Sequence, residues 1–226
     1  MNKTPLANLL FDLDGTLTDP KPGITRSIQH ALETLGEEPP HADNLEWCIG
    51  PPLVHSFGEL LQTDDSLRIQ EALHIYRERF STKGIFENSV YDGIPEMLQQ
   101  LQQQGGQLFL ATAKPRIFAE RILQHFDLEN YFTQCFGSEL DGRFTEKPSL
   151  IAHILQQTGI RPEETMIIGD RRYDLEGGRA HCLRTGAVTY GYGSMDELQN
   201  VGADFFFHSP KEICQELATY FHAQNP

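Results

Sequence analysis

The chain has 226 residues, with 18 Lys plus Arg against 32 Asp plus Glu and a formal net charge of −14. That length supports a sizeable core, and the charge argues against nucleic acid or an anionic membrane surface as a partner. The start, MNKTPLANLLFDLD, lacks a signal peptide's apolar run, and no stretch reaches the ~20 apolar residues of a membrane span. The expectation is a cytoplasmic protein whose scattered Cys48, Cys135, Cys182 and Cys214 stay reduced.

LANLLFDLD reads as a first strand. From Gly23 the apolar positions Ile24, Ile28, Ala31, Leu32 and Leu35 take one helical face, stopped by Gly36 and Pro39-Pro40. Two more helices fit Leu53 to Leu61 and Ile69 to Phe80. After Gly84 strands and helices alternate. PEMLQQLQQQ is helical, its glutamines on a solvated face, and QLFLATA is a strand ending at Thr112. Pro115 to Phe126 is helical, TQCFGS a short strand, Lys147 to Gln157 a helix and TMIIGD a strand. A helix to about Ala180, strands at LRTGAVTY and DFFFH, and a helix from Pro210 to Phe221 complete the order. This alternation predicts an α/β fold, a Rossmann-like parallel sheet covered on both faces. Residues 1–19 and 85–226 form the core, and residues 20–84 form an inserted all-helical segment. Its hinges are Asp19-Pro20-Lys21-Pro22-Gly23 and Lys83-Gly84.

Ligands bind outside the carboxyl ends of parallel strands, and polar residues gather at that edge. Asp12 and Asp14 end the first strand, Thr112 another with Lys114 beyond, and Asp170 a third with Asp174 four residues on; Lys147 opens a helix after a loop. Two carboxylates so close repel unless a cation intervenes. Asp12 is a candidate nucleophile, and Asp14, its acid form favoured beside another anion, a candidate proton carrier. A divalent ion shared with Asp170 would take hard oxygen ligands, as Mg²⁺ does. Thr112 and Lys147 would hold phosphoryl oxygens. Trp47 reads as packing and Gly191-Tyr192-Gly193 as a turn. The nine histidines form no zinc-like cluster.

The pieces FDLDGTLTD, LATAKP, EKPS and IIGDRRYDLEGG, in that order, resemble the haloacid dehalogenase-like superfamily, and the helical insertion resembles its cap. GITRSIQHALETLG, GPPL and YGYGS are similar to the branch holding phosphoglycolate phosphatases and 5′-nucleotidase-like phosphatases. The resemblance implies that Asp12 attacks phosphorus, that Asp14 protonates the leaving oxygen and then activates water, and that Thr112 and Lys147 bind phosphate. It also implies Mg²⁺ held by Asp12, the Asp14 backbone carbonyl and Asp170, with Asp174 at or just behind the metal. His181-Cys182 stands where relatives often carry Asn-Gly, which bears on the loop after that helix, and the part played by Lys114 stays open. The implied activity is hydrolysis of a small phosphorylated metabolite by a monomer or homodimer. A phosphosugar mutase and a non-catalytic binding protein are the alternatives. A dehalogenase fits poorly because Asp14 is present, and a phosphonatase because the only lysines near the insertion, Lys21 and Lys83, lie at its hinges.

Overall fold

Leu9, Leu10 and Phe11 are fully buried, as a strand covered on both faces requires. The computed structural model describes residues 6–221 and places this run as β1 (Asn8–Phe11). The short β2 (Thr18–Asp19) leads into α1 (Lys21–Thr34), α2 (Leu53–Leu60) and α3 (Ser66–Thr82). Then come β3 (Ser89–Val90), α4 (Ile94–Gln103), β4 (Gln107–Pro115) and α5 (Arg116–His125). They are followed by β5 (Gln134–Ser138), α6 (Lys147–Thr158), β6 (Thr165–Gly169) and α7 (Arg172–Ala180). The chain ends in β7 (Arg184–Val188), α8 (Met195–Val201), β8 (Phe205–Phe207) and α9 (Pro210–Phe221).

Six strands form a parallel sheet in the order β5-β4-β1-β6-β7-β8. This is the doubly wound order, and its reversal point lies between β1 and β6. Alternation along the strands divides the core between two faces. Leu9, Phe11, Leu110 and Ile168 pack with α4, α5 and α9. Leu10, Phe109 and Ile167 pack with α6 on the opposite face. Residues Ile24, Ile28, Leu73 and Phe80 of α1 and α3 belong to the first cluster, so the helical segment and the sheet share one continuous apolar body.

The segment over 20–84 is helical as expected, with an additional 3₁₀ turn at Ala42–Cys48. β4 runs three residues past Thr112. Its pairing with β5 slips between Thr112 and Pro115, leaving Ala113 and Lys114 as a bulge that re-aims the lysine. The helix α8 was not anticipated. Its signal was present in Ser194-Met-Asp-Glu197, where the serine hydroxyl accepts from the Glu197 amide, a capping pattern too short to show periodicity. Trp47 does not pack as expected; it is 39% exposed. Cys182 adopts φ 60°, so the loop after α7 keeps a left-handed turn without the glycine that accommodates it most easily.

The two hinges lie against each other. β2 and β3 pair antiparallel, Thr18 with Val90 and Asp19 with Ser89, and the Gly23 amide donates to the Glu87 carbonyl at 2.9 Å. A methyl group on Gly23 would stand 2.0 Å from the Gly84 carbonyl oxygen. Gly23→Ala is therefore expected to cost about 1–3 kcal/mol through overpacking, a fall in Tm of several degrees in thermal denaturation. An unchanged Tm would show that the crossing can part without strain.

Candidate active site

The backbone beyond β1 stays on the sheet for one more residue, the Asp12 amide donating to the Ile168 carbonyl at 2.9 Å. The chain then turns tightly, the Gly15 amide donating to the Thr18 carbonyl at 2.8 Å. Asp12 and Asp14 thus project from the carboxyl edge of the central strand. Both are buried, 4% and 8% exposed, and so are Asp170, Asp174, Lys114 and Lys147. Among the described residues these six are all the buried charged side chains.

The six form two opposed sets. Lys147 Nζ lies 2.8 Å from Asp12 Oδ1, 2.5 Å from Asp174 Oδ1 and 2.7 Å from the Ala111 carbonyl. Burial alone would weaken its ammonium form, but Asp12 and Asp174 outweigh that and hold its pKa above the ordinary lysine value. Lys114 Nζ pairs with Asp14 Oδ2 at 2.8 Å and lies 4.6 Å above the centre of the Phe80 ring on α3. The other Asp14 oxygen, Oδ1, is buried with no hydrogen-bond partner. Burial raises the Asp14 pKa, against the pull of Lys114.

The sequence reading puts Asp12, the backbone carbonyl of Asp14 and Asp170 at a metal, with Asp174 at or just behind it. The side-chain oxygens of Asp12, Asp170 and Asp174 lie within 4.8 Å of one another, while the Asp14 carboxylate faces Lys114. Four buried carboxylates face two buried ammonium groups, a formal excess of two negative charges. Asp170 shows the consequence: its burial, with Asp12 and Asp174 beside it, pushes its pKa well above the usual carboxylate range. An oxygen-only donor set with that excess fits a hard divalent cation such as Mg²⁺.

The loop after β7 closes around Asp170. The Tyr192 amide donates to Asp170 Oδ2 at 2.8 Å, Thr16 Oγ1 lies 3.5 Å from Oδ1, and the Tyr192 hydroxyl donates to Asp19 at the hinge. A methyl on Gly191 would meet the Gly15 carbonyl oxygen at 2.3 Å and Asp170 Cβ at 2.4 Å. Gly191-Tyr192-Gly193, read from the sequence as a turn, is a collar on the acidic cluster. Arg171 was also missed. Its guanidinium donates to the Ile49 carbonyl of the helical segment and to Glu197 Oε1 at 3.0 Å, tying the edge of the site to the loop above it.

A cavity of about 200 Å³ lies over this edge. Asp12, Asp14, Thr112 and Lys114 line its floor, and Leu73, Tyr76 and Phe80 of α3 with Pro51 and Pro52 line its roof. Thr112 is 2% exposed, and its hydroxyl accepts the Lys114 amide at 3.2 Å. Of the residues singled out in the sequence, Asp12, Asp14, Thr112 and Lys114 line the cavity, while Lys147 and Asp170 lie beside them without lining it.

A doubly wound sheet with paired carboxylates and lysines at its reversal point, under a helical roof, is the build of a phosphoryl-handling α/β hydrolase. The family model described as haloacid dehalogenase-like hydrolase matches residues 9–188, and the chain belongs to that family, as an enzyme of its phosphatases. It is 46% identical over 211 residues to a Pseudomonas aeruginosa protein named 5′-nucleotidase, covering 93% of this chain and 92% of that one. It is 36% identical over 201 residues to a Mycobacterium tuberculosis protein named tyrosine-protein kinase PtkA, covering 89% and 68%. A crystal structure described as a predicted phosphatase from Clostridium acetobutylicum superposes with a TM-score of 0.92 at 38% identity, covering 96% of this chain and all of that one.

Lys147→Ala would leave two buried carboxylates without their shared partner. The expected loss is about 3–5 kcal/mol, as for other broken buried pairs, measured by denaturant unfolding. Adding Asp174→Asn should recover part of that loss; strictly additive effects would mean that Lys147 does not serve Asp174.

Proposed function

We propose that this protein is a Mg²⁺-dependent phosphatase that hydrolyses small phosphomonoesters, of phosphoglycolate or nucleotide type, through an aspartyl-phosphate on Asp12. The observation that carries this is the division of labour between the two carboxylates at the cavity floor. Asp12 is oriented by Lys147, and Asp14 keeps a buried oxygen free of any partner.

In the proposed reaction the ester's phosphoryl group lies against Asp12, with the Thr112 hydroxyl and Lys147 holding its oxygens. Asp12 Oδ attacks phosphorus and the bond to the leaving oxygen breaks. The protonated Asp14, a form that burial favours, gives its proton to that oxygen. Asp14 then takes a proton from water, which attacks the acyl phosphate and frees Asp12. Lys114 holds Asp14 in place. A divalent cation bound by Asp12, the Asp14 backbone carbonyl and Asp170, with Asp174 close behind, would offset the charge of the phosphoryl group.

Residues 20–84 act as a cap on a core made of residues 1–19 and 85–226. The cavity under the cap admits a small metabolite and has no room for a folded macromolecule, and the net charge of −14 repels polyanions. The working form is a monomer or homodimer in the cytoplasm; no helix among the described residues is long and apolar enough to cross a membrane.

Phosphate release from p-nitrophenyl phosphate should disappear in EDTA and return with Mg²⁺. Asp12→Asn should lower kcat by about four orders of magnitude. Full activity in EDTA, or more than about a tenth of kcat left in Asp12→Asn, would overturn the mechanism. Sugar-phosphate isomers in place of free phosphate would favour a mutase. Transfer from ATP to a tyrosine peptide without ester hydrolysis would favour the activity that the mycobacterial relative's name carries.

A further inference from the structure

Arg77 lies on α3, partly buried, on the helical face that also presents Gln70, Leu73, Tyr76 and Phe80 to the cavity. Among the described residues it is the arginine that makes no hydrogen bond, ion pair or ring contact. The rim carboxylates of the same cavity are already committed, Glu139 to Arg116 at 3.4 Å and Asp141 to Arg143 at 2.8 Å. Lys114, the other cation on the cavity wall, is held by Asp14.

In a chain with 32 acidic residues, a partly buried guanidinium with no acidic partner is out of place as a structural element. It has given up part of its hydration without receiving a hydrogen bond or an ion pair from the protein in return. Its planar fork is suited to carboxylate or phosphate oxygens in a bidentate pair. The reacting phosphoryl group has its own partners on the floor, so an anion at Arg77 belongs to the other end of the substrate. The cavity of about 200 Å³ is below the ~300–1,000 Å³ of pockets for drug-sized ligands, which limits that other end to a few carbon atoms.

We propose that Arg77 binds a second anionic group, a carboxylate or phosphate, on the short leaving group of the phosphomonoester, and so selects the substrate. This rests on the phosphatase reading above and narrows it, away from leaving groups that are neutral nucleosides. The roof residues Leu73, Tyr76 and Phe80 would enclose the carbon chain between the two anions, where exclusion of water strengthens the pairing with Arg77.

The test compares kcat/KM on 3-phosphoglycerate with that on glycerol 3-phosphate, whose leaving group lacks the carboxylate. Glycerol 1,3-bisphosphate supplies phosphate as the second anion, and adenosine 5′-monophosphate a nucleoside. The wild type should favour an anionic leaving group over glycerol 3-phosphate by about tenfold or more. Arg77→Ala should reduce that preference about 10- to 100-fold, the size of one charge-assisted pair, through KM more than kcat. Arg77→Lys should keep part of it. Because Arg77 has no partner within the protein, Arg77→Ala should melt with the wild type. Equal loss on all esters, no loss on any, or a wild-type preference for the nucleotide that Arg77→Ala leaves in place would overturn the assignment of Arg77 while leaving the phosphatase reading intact. Phosphate release from none of the esters would overturn the phosphatase reading, and the assignment with it.

Discussion

The buried ammonium of Lys147 is the contact on which the site depends. It spans Asp12 at the end of β1, the Ala111 carbonyl near the end of β4 and Asp174 on α7, so one side chain joins three elements meeting at the carboxyl edge of the sheet. Burying any of these charges alone would cost several kcal/mol. Burying them together is tolerable because each carboxylate faces the same cation. Lys147 can reach them because it is the first residue of α6, where the helix axis starts at the sheet edge.

The excess negative charge that this arrangement leaves is the chemical content of the site. Asp170 has no ammonium of its own; it is held by the Tyr192 amide and the Thr16 hydroxyl. Those hydrogen bonds orient the carboxylate but do not neutralise it. The result is an oxygen-only acidic pocket that fits a hard divalent cation, which would offset the repulsion of the like charges. The glycines around Asp170 belong to the same design, since a side chain at Gly191 would occupy the space of the Asp170 side chain and of the Gly15 carbonyl.

Above the floor, the helical segment contributes surfaces of two kinds. Its apolar face merges with the main core through Ile24, Ile28 and Phe80, which fixes its position. Its polar contacts reach the edge of the site: Ile49 receives Arg171, and Phe80 lies under the Lys114 ammonium. Arg171, next to Asp170, and Lys114, paired with Asp14, are thus the side chains that join the acidic edge to the roof. Pro51 and Pro52 stiffen the loop between them.

Much of this was legible in the sequence. The succession of strands and helices along the chain, the helical insertion, and the placing of Asp12, Asp14, Thr112 and Asp170 at strand ends and Lys147 at a helix start follow from local patterns: apolar runs, helical spacing, and polar residues where each strand stops. These are properties of neighbours along the chain, and elementary sterics and burial make them readable. The partners of those residues were not readable. That Lys114 would take Asp14, that Asp174 would share Lys147 with Asp12, and that the Tyr192 loop would enclose Asp170 all depend on contacts between residues 22 to more than 100 positions apart. A bulge in β4 and a left-handed turn at Cys182 contribute as well, and neither has a periodic signature. Arg77 shows the limit most plainly: in sequence it is one more charged residue on a helix, and only the fold shows that it lines the cavity while the rim carboxylates Glu139 and Asp141 are paired with other arginines. Local order is written in local residues, whereas charge pairing is decided by which groups the fold brings within a few ångströms, because Coulomb energy depends on distance through space and not along the chain.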